Sequence, residues 1–160
     1  MIEPRHTPGL FERDGSWREV VVLSASGDTW DRMLGWARGR YPGAGTFTID
    51  GTPAPMPARF LDIRALHARA SPEWCLNIGG LTLHCHFHTE SRIELDLDPA
   101  VLGGKEVTAL MAFMRELGAL LSHDVYVTPE NSWNAPILVY LHEPNRVIAV
   151  AAIDRDEFEA

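Results

Sequence analysis

The chain has 160 residues, 46% of them hydrophobic and 22% charged, ordinary proportions for a single globular domain that buries its own core without staples. Its net charge of −8, from 14 basic against 22 acidic residues with Lys105 as the only lysine, argues against nucleic-acid binding, which requires clustered cations along the backbone. Two cysteines make no disulfide framework, no apolar run is long enough for a membrane span, and the first nine residues lack the apolar core of a signal peptide; a cytoplasmic protein with reduced thiols is expected.

Residues 1–15, rich in Pro, Gly and charge, read as a loosely ordered lead-in. Glu19–Leu23 is an apolar run suited to a buried strand. Asp28 then resembles a helix N-cap, and Trp30, Met33, Leu34 and Ala37 recur at helical spacing, so a helix is expected near 29–39, ending before Tyr41-Pro42-Gly43. Thr46–Ile49 reads as a strand. Thr52–Pro57 holds three prolines and reads as a stiff connection. Over residues 58–70, Phe60, Ile63, Leu66 and His67 share one helical face.

The next stretch specifies its own register. Gly79-Gly80 is a two-residue hairpin signal. It pairs Ile78 with Leu81, Leu76 with Leu83 and Trp74 with Cys85. A turn at Thr89–Ser91 then pairs Phe87 with Ile93, Cys85 with Leu95 and Leu83 with Leu97. Both turns put the large apolar residues on one face, and a one-residue slip would mix the faces. After Gly103-Gly104, the residues Val107, Leu110, Met111, Met114, Leu117 and Leu121 form one apolar stripe, which predicts an amphipathic helix over about 105–122. Val125–Thr128, Ile137–Leu141 and Arg146–Ala152 read as strands, and the acidic tail over 154–160 as loose.

The expected fold is α+β: a single domain over 1–160, with a mostly antiparallel sheet, the long helix on its apolar face and the 29–39 helix nearby. Its polar face would carry the candidate chemistry. His84, His86 and His88 lie two apart, so a strand projects all three to one side, opposite Leu83, Cys85 and Phe87. The register sets Cys75 against His84, His84 against Asp96 and His86 against Glu94. Imidazole, carboxylate and thiolate are zinc ligands, so His84, His86, His88, Glu94, Asp96 and Cys75 form a candidate metal set with zinc as the possible cofactor. The same face can also be read as solvated cross-strand pairs.

His84-x-His86-x-x-x-Glu90 resembles the first metal motif of the cupin family over seven residues only. No glycine follows Glu90 at the cupin spacing and no second motif lies downstream, so the chain is not assigned there. Ser122-His123-Asp124 holds triad residue types, but consecutive side chains point apart and read as a helix end and turn. In the loop 129–136, Trp133 with Asn131 and Glu130 is the candidate partner-binding group, a large aromatic between two prolines. Two functions are carried forward, beside a third, a small-molecule pocket between sheet and helix, on which the sequence is silent. One is a non-enzymatic interaction module that binds or inhibits a basic protein. The other is a metal-binding protein or metal-dependent hydrolase built on the histidine face. No membrane or nucleic-acid partner is expected.

Overall fold

The computed structural model describes residues 8–12 and 14–150. The acidic tail over 154–160, read as loose, lies outside them, as do the first seven residues of the lead-in. Pro8–Phe11 is a one-turn helix, α1. Its Leu10 is fully buried, and the buried Arg18 guanidinium donates to the Gly9 and Glu12 carbonyls. A buried guanidinium needs acceptors for its fork of donors, so this part of the lead-in is tied to the sheet.

Strand β1, Arg18–Val22, leads into α2, Gly27–Arg40. The cap is Ser26 and not Asp28: Ser26 Oγ accepts from the Thr29 N–H, and the Thr29 hydroxyl accepts from the Ser26 N–H. Reciprocal bonding of this kind satisfies two exposed donors, and leaves Asp28 in the first turn, where its charge suits the helix dipole. Strands β2, Gly45–Ile49, and β3, Thr52–Pro53, pair as a hairpin at the sheet edge. Its turn is Asp50-Gly51, both at positive φ, as a two-residue hairpin demands. The proline-rich stretch therefore adds a short edge strand, where Pro53 can sit without breaking a ladder.

Helix α3, Phe60–Leu66, precedes three strands: β4, Pro72–Ile78; β5, Leu81–Cys85; and β6, Ile93–Leu97. The β4–β5 register is Trp74↔Cys85, Leu76↔Leu83 and Ile78↔Leu81, the one set by Gly79-Gly80. Strand β5 ends earlier than its histidine spacing suggests. Phe87 takes a left-handed φ of 56° and buries its ring near Trp30 and Phe47, so only His84 of the three histidines is in the strand. A single β5–β6 pair remains, His84↔Asp96.

Helix α4, Gly104–Leu121, begins where the Glu106 carboxylate accepts from the Gly103 N–H at 3.0 Å. It buries Val107, Leu110, Phe113, Met114, Leu117 and Leu121, so Phe113 and not Met111 completes the stripe. Strands β7, Val125–Pro129, β8, Leu138–Leu141, and β9, Arg146–Ala149, follow.

The nine strands among the described residues form one antiparallel sheet in the order β3-β2-β4-β5-β6-β1-β7-β8-β9. The alternation of side chains gives it two unlike faces. Val20, Val22, Leu76, Leu83, Leu95 and Val127 share a single core with the buried residues of α2, α3 and α4. The opposite face carries Cys75, His84, Asp96, Glu19 and Thr128.

Candidate metal centre on the polar face of the sheet

Register builds this face into a line. The pairs Thr46↔Cys75, Cys75↔His84, His84↔Asp96, Asp96↔Glu19 and Glu19↔Thr128 run across six adjacent strands. Neighbours in such a row stand about 4.8 Å apart along the hydrogen-bonding direction, so each of the four inner groups, Cys75, His84, Asp96 and Glu19, has a polar neighbour on either side.

At one end of the row three metal-ligating groups converge. Cys75 Sγ lies 3.2 Å from His84 Nδ1, His84 Nδ1 lies 3.1 Å from Glu73 Oε1, and the Cys75 thiol donates to Glu73 Oε1 at 3.4 Å. Sulfur, nitrogen and oxygen ligands of a tetrahedral zinc ion, with bonds of about 2.0–2.3 Å, stand about 3.3–3.6 Å from one another. The three atoms thus come within a few tenths of an ångström of one face of that tetrahedron. Cys75 and Glu73 reach it because they are two apart on β4, and His84 because it is the cross-strand partner of Cys75. Trp17 is half-buried here and meets the His84 ring edge-on at 5.1 Å between centroids.

Protonation in this cluster follows its contacts. Burial, together with hydrogen bonding to and the charge of Glu73, pushes the Cys75 thiol up to about 11, so it stays a thiol at neutral pH and is no nucleophile by itself. Burial raises Glu73, but hydrogen bonds from His84 and Cys75 outweigh it and leave the carboxyl below its ordinary value.

The remaining histidines and acids lie apart from this triad. His86 Nε2 faces Asp96 Oδ2 at 3.8 Å. His88 stacks on His86 with ring centroids 5.5 Å apart and lies 6.4 Å from His67. The Glu94 carboxylate accepts from Arg92. Among the described residues, only Glu73, Cys75 and His84 form a group of three close enough to share one ion. Glu73 is the member of this group that sequence reading missed, although Glu73-x-Cys75 is the same two-residue spacing that singled out the histidines.

The other end of the row holds a second feature that sequence reading missed. Glu19 is 6% exposed and Thr128 fully buried; Glu19 Oε2 and Thr128 Oγ1 both lack a hydrogen-bond partner among the described residues. Burial and the Glu94 and Asp96 charges raise the Glu19 pKa against the opposing pull of the Asn131 backbone and Trp133 indole N–H groups. Asp96, between Glu19 and His84, is raised to about 6 by burial and by Glu94 and Glu130.

The loop after β7 reaches over Glu19. Glu130 holds its base: the Glu130 N–H donates to the Trp17 carbonyl at 3.1 Å, and the Glu130 carboxylate accepts from the Trp17 N–H at 3.3 Å. Asn131 is at positive φ. Trp133 remains 42% exposed, with the Arg92 guanidinium 3.5 Å from its ring centroid. Asp124 accepts from the His142 N–H, and the His123 ring nitrogens lie against the Leu121 and Ser24 carbonyls, which leaves residues 122–124 as a helix end and turn.

Comparison of the chain with family models, with curated proteins and with solved structures finds no match in any of the three. No helix among the described residues is long and apolar enough to cross a membrane.

Proposed function

We propose that the protein binds a zinc-like divalent ion through Glu73, Cys75 and His84. The single observation that carries this reading is the mutual approach of three chemically different donor atoms, at 3.1–3.4 Å, on two strands whose register is locked by the Gly79-Gly80 turn. A mixed sulfur, nitrogen and oxygen set suits zinc and disfavours calcium or magnesium, which take oxygen. Three protein ligands leave a fourth position. The His84 and Glu73 side chains are 25% and 36% exposed, so that position opens to solvent and suits a water. A metal-activated water is the reagent of metal-assisted hydrolysis, and Asp96, beside His84, is the neighbouring carboxylate able to take its proton.

Metal content of untagged protein, measured by plasma mass spectrometry, tests the reading. Close to one equivalent of metal in the wild type, lost in a C75S/H84A double variant, is expected. Metal-free wild type that also fails to take up added zinc would overturn it.

A second reading, a module that docks a basic protein, rests on the exposed part of Trp133 and the net charge of −8. Arg92 already covers one face of that ring, so a partner would use its free edge and face. Retention of a basic partner by the wild type but not by Trp133→Ala is the corresponding test.

A further inference from the structure

On the other side of the sheet, a cleft of about 260 Å³ opens between α2, the β2–β4 edge and residues 54–56. Its walls are aromatic and apolar, with Phe47 and Trp74 on the strands, Tyr41 at the end of α2 and Met56 on the connection. An apolar cavity of roughly 150 Å³ holds benzene, so this volume accommodates a larger flat ring system.

Three polar side chains line it; the Tyr41 hydroxyl is directed to the Glu116 carboxylate at 3.5 Å, which leaves Trp74 and Arg38 as donors. The Trp74 indole N–H has no acceptor among the described residues. It is reachable because residue 45 is glycine: a Cβ there would stand 2.5 Å from Trp74 Nε1. The second group is Arg38. Its Nε donates to the Leu34 carbonyl and its Nη2 to the Ala58 carbonyl, at 3.2 and 3.0 Å. Those bonds fix the guanidinium at the cleft and leave Nη1 unengaged by the described residues. Arg38 is also the only charged residue among those lining the cleft, in a chain of net charge −8. A pocket with an apolar body and a few placed polar groups is the usual form of a small-molecule site.

We propose that this cleft binds a small aromatic carboxylate. The ring system lies against Phe47 and Trp74, and the carboxylate accepts from Arg38 Nη1 and Trp74 Nε1. A carboxylate matches a pair of N–H donors, one of them charged, better than a phosphate, which needs more donors. The site is independent of the metal triad and lies on the opposite face.

Calorimetric titration with 2-naphthoate, in the presence of EDTA so that no carboxylate on a metal is read, tests the proposal. Saturable one-to-one binding is expected. It should weaken at least about tenfold, or 1.4 kcal/mol, in Arg38→Gln, and by a similar factor when neutral 2-naphthalenemethanol replaces the carboxylate. Ala54→Phe, which fills the cleft from the connection, should abolish it. Absence of saturable binding to folded wild type at millimolar ligand would overturn the proposal. So would binding that is unchanged in both folded variants.

Discussion

Glu19 and Cys75 show how one row of side chains acquires opposite chemical tendencies from its surroundings. Glu19 is buried beside two other acids and its Oε2 has no partner among the described residues, so ionising it costs stability. Glu19→Gln removes that cost while keeping the shape of the side chain and an oxygen acceptor for the Asn131 and Trp133 N–H groups. The variant should be more stable than wild type by about 1–2 kcal/mol at pH 7.5 and nearly equal to it at pH 4. Urea denaturation at the two pH values measures this, and a less stable variant at pH 7.5 would contradict it. Cys75 is a thiol with its pKa pushed up to about 11, yet as a zinc ligand it must be a thiolate. Binding therefore releases a proton, and zinc affinity should rise about tenfold per pH unit between pH 6 and 8. In Cys75→Ser the residual binding should lose most of that slope. Competition with a chromophoric chelator measures both.

Packing between elements decides which parts of the fold are robust. Helix α4 passes close over β8 because Gly118 has no side chain; a Cβ there would overlap the Tyr140 ring and stand 2.9 Å from the His123 carbonyl oxygen. Gly118→Ala improves helix propensity by about 1 kcal/mol, but overpacking should win and leave a net loss of about 1–3 kcal/mol. A stabilised variant in thermal or urea unfolding would show that α4 can shift away from the sheet. The elements legible in the sequence are those with local causes. The β4–β5 register follows from two glycines and a period of two, and α4 from its stripe of apolar residues. Elements with distant causes were not legible. Strand β5 ends at Cys85 because Phe87 is drawn into the core near Trp30 and Phe47, contacts made across tens of residues. The pairing Cys75↔His84 could be read because the hairpin is local. Glu73 lies just outside the run Trp74–Ile78 that the hairpin register pairs with Leu81–Cys85. Glu19↔Asp96 joins residues far apart in the chain, and nothing in the neighbourhood of either announces the other.

At the scale of the molecule, the sheet separates a helix-covered core from a polar face whose acids set the response to pH. Asp96 keeps its proton in the folded protein to about pH 6, against an ordinary value of 3.8. Between those values the unfolded chain binds fewer protons than the fold, so this group's contribution to stability falls as the pH rises through the window and stays low above it. The loss is on the order of 1–3 kcal/mol. Asp96→Asn should flatten the decline between pH 4.5 and 7 in denaturation measured with EDTA present. Glu73 works in the opposite sense: its lowered pKa favours the fold above the ordinary carboxylate range and loses that advantage on acidification. Because Glu73, Cys75 and His84 are brought together only by the folded β4–β5 pairing, an ion bound there would favour the fold and should raise the unfolding temperature. The most direct measurement is a zinc titration calorimetry series at pH 7.5 on wild type, Glu73→Gln, Cys75→Ser and His84→Ala. One saturable site in the wild type, weakened at least about tenfold by each substitution, is the expected result. Absence of saturable binding in the wild type, or binding that none of the three substitutions alters, would contradict the assignment of the triad as a metal centre.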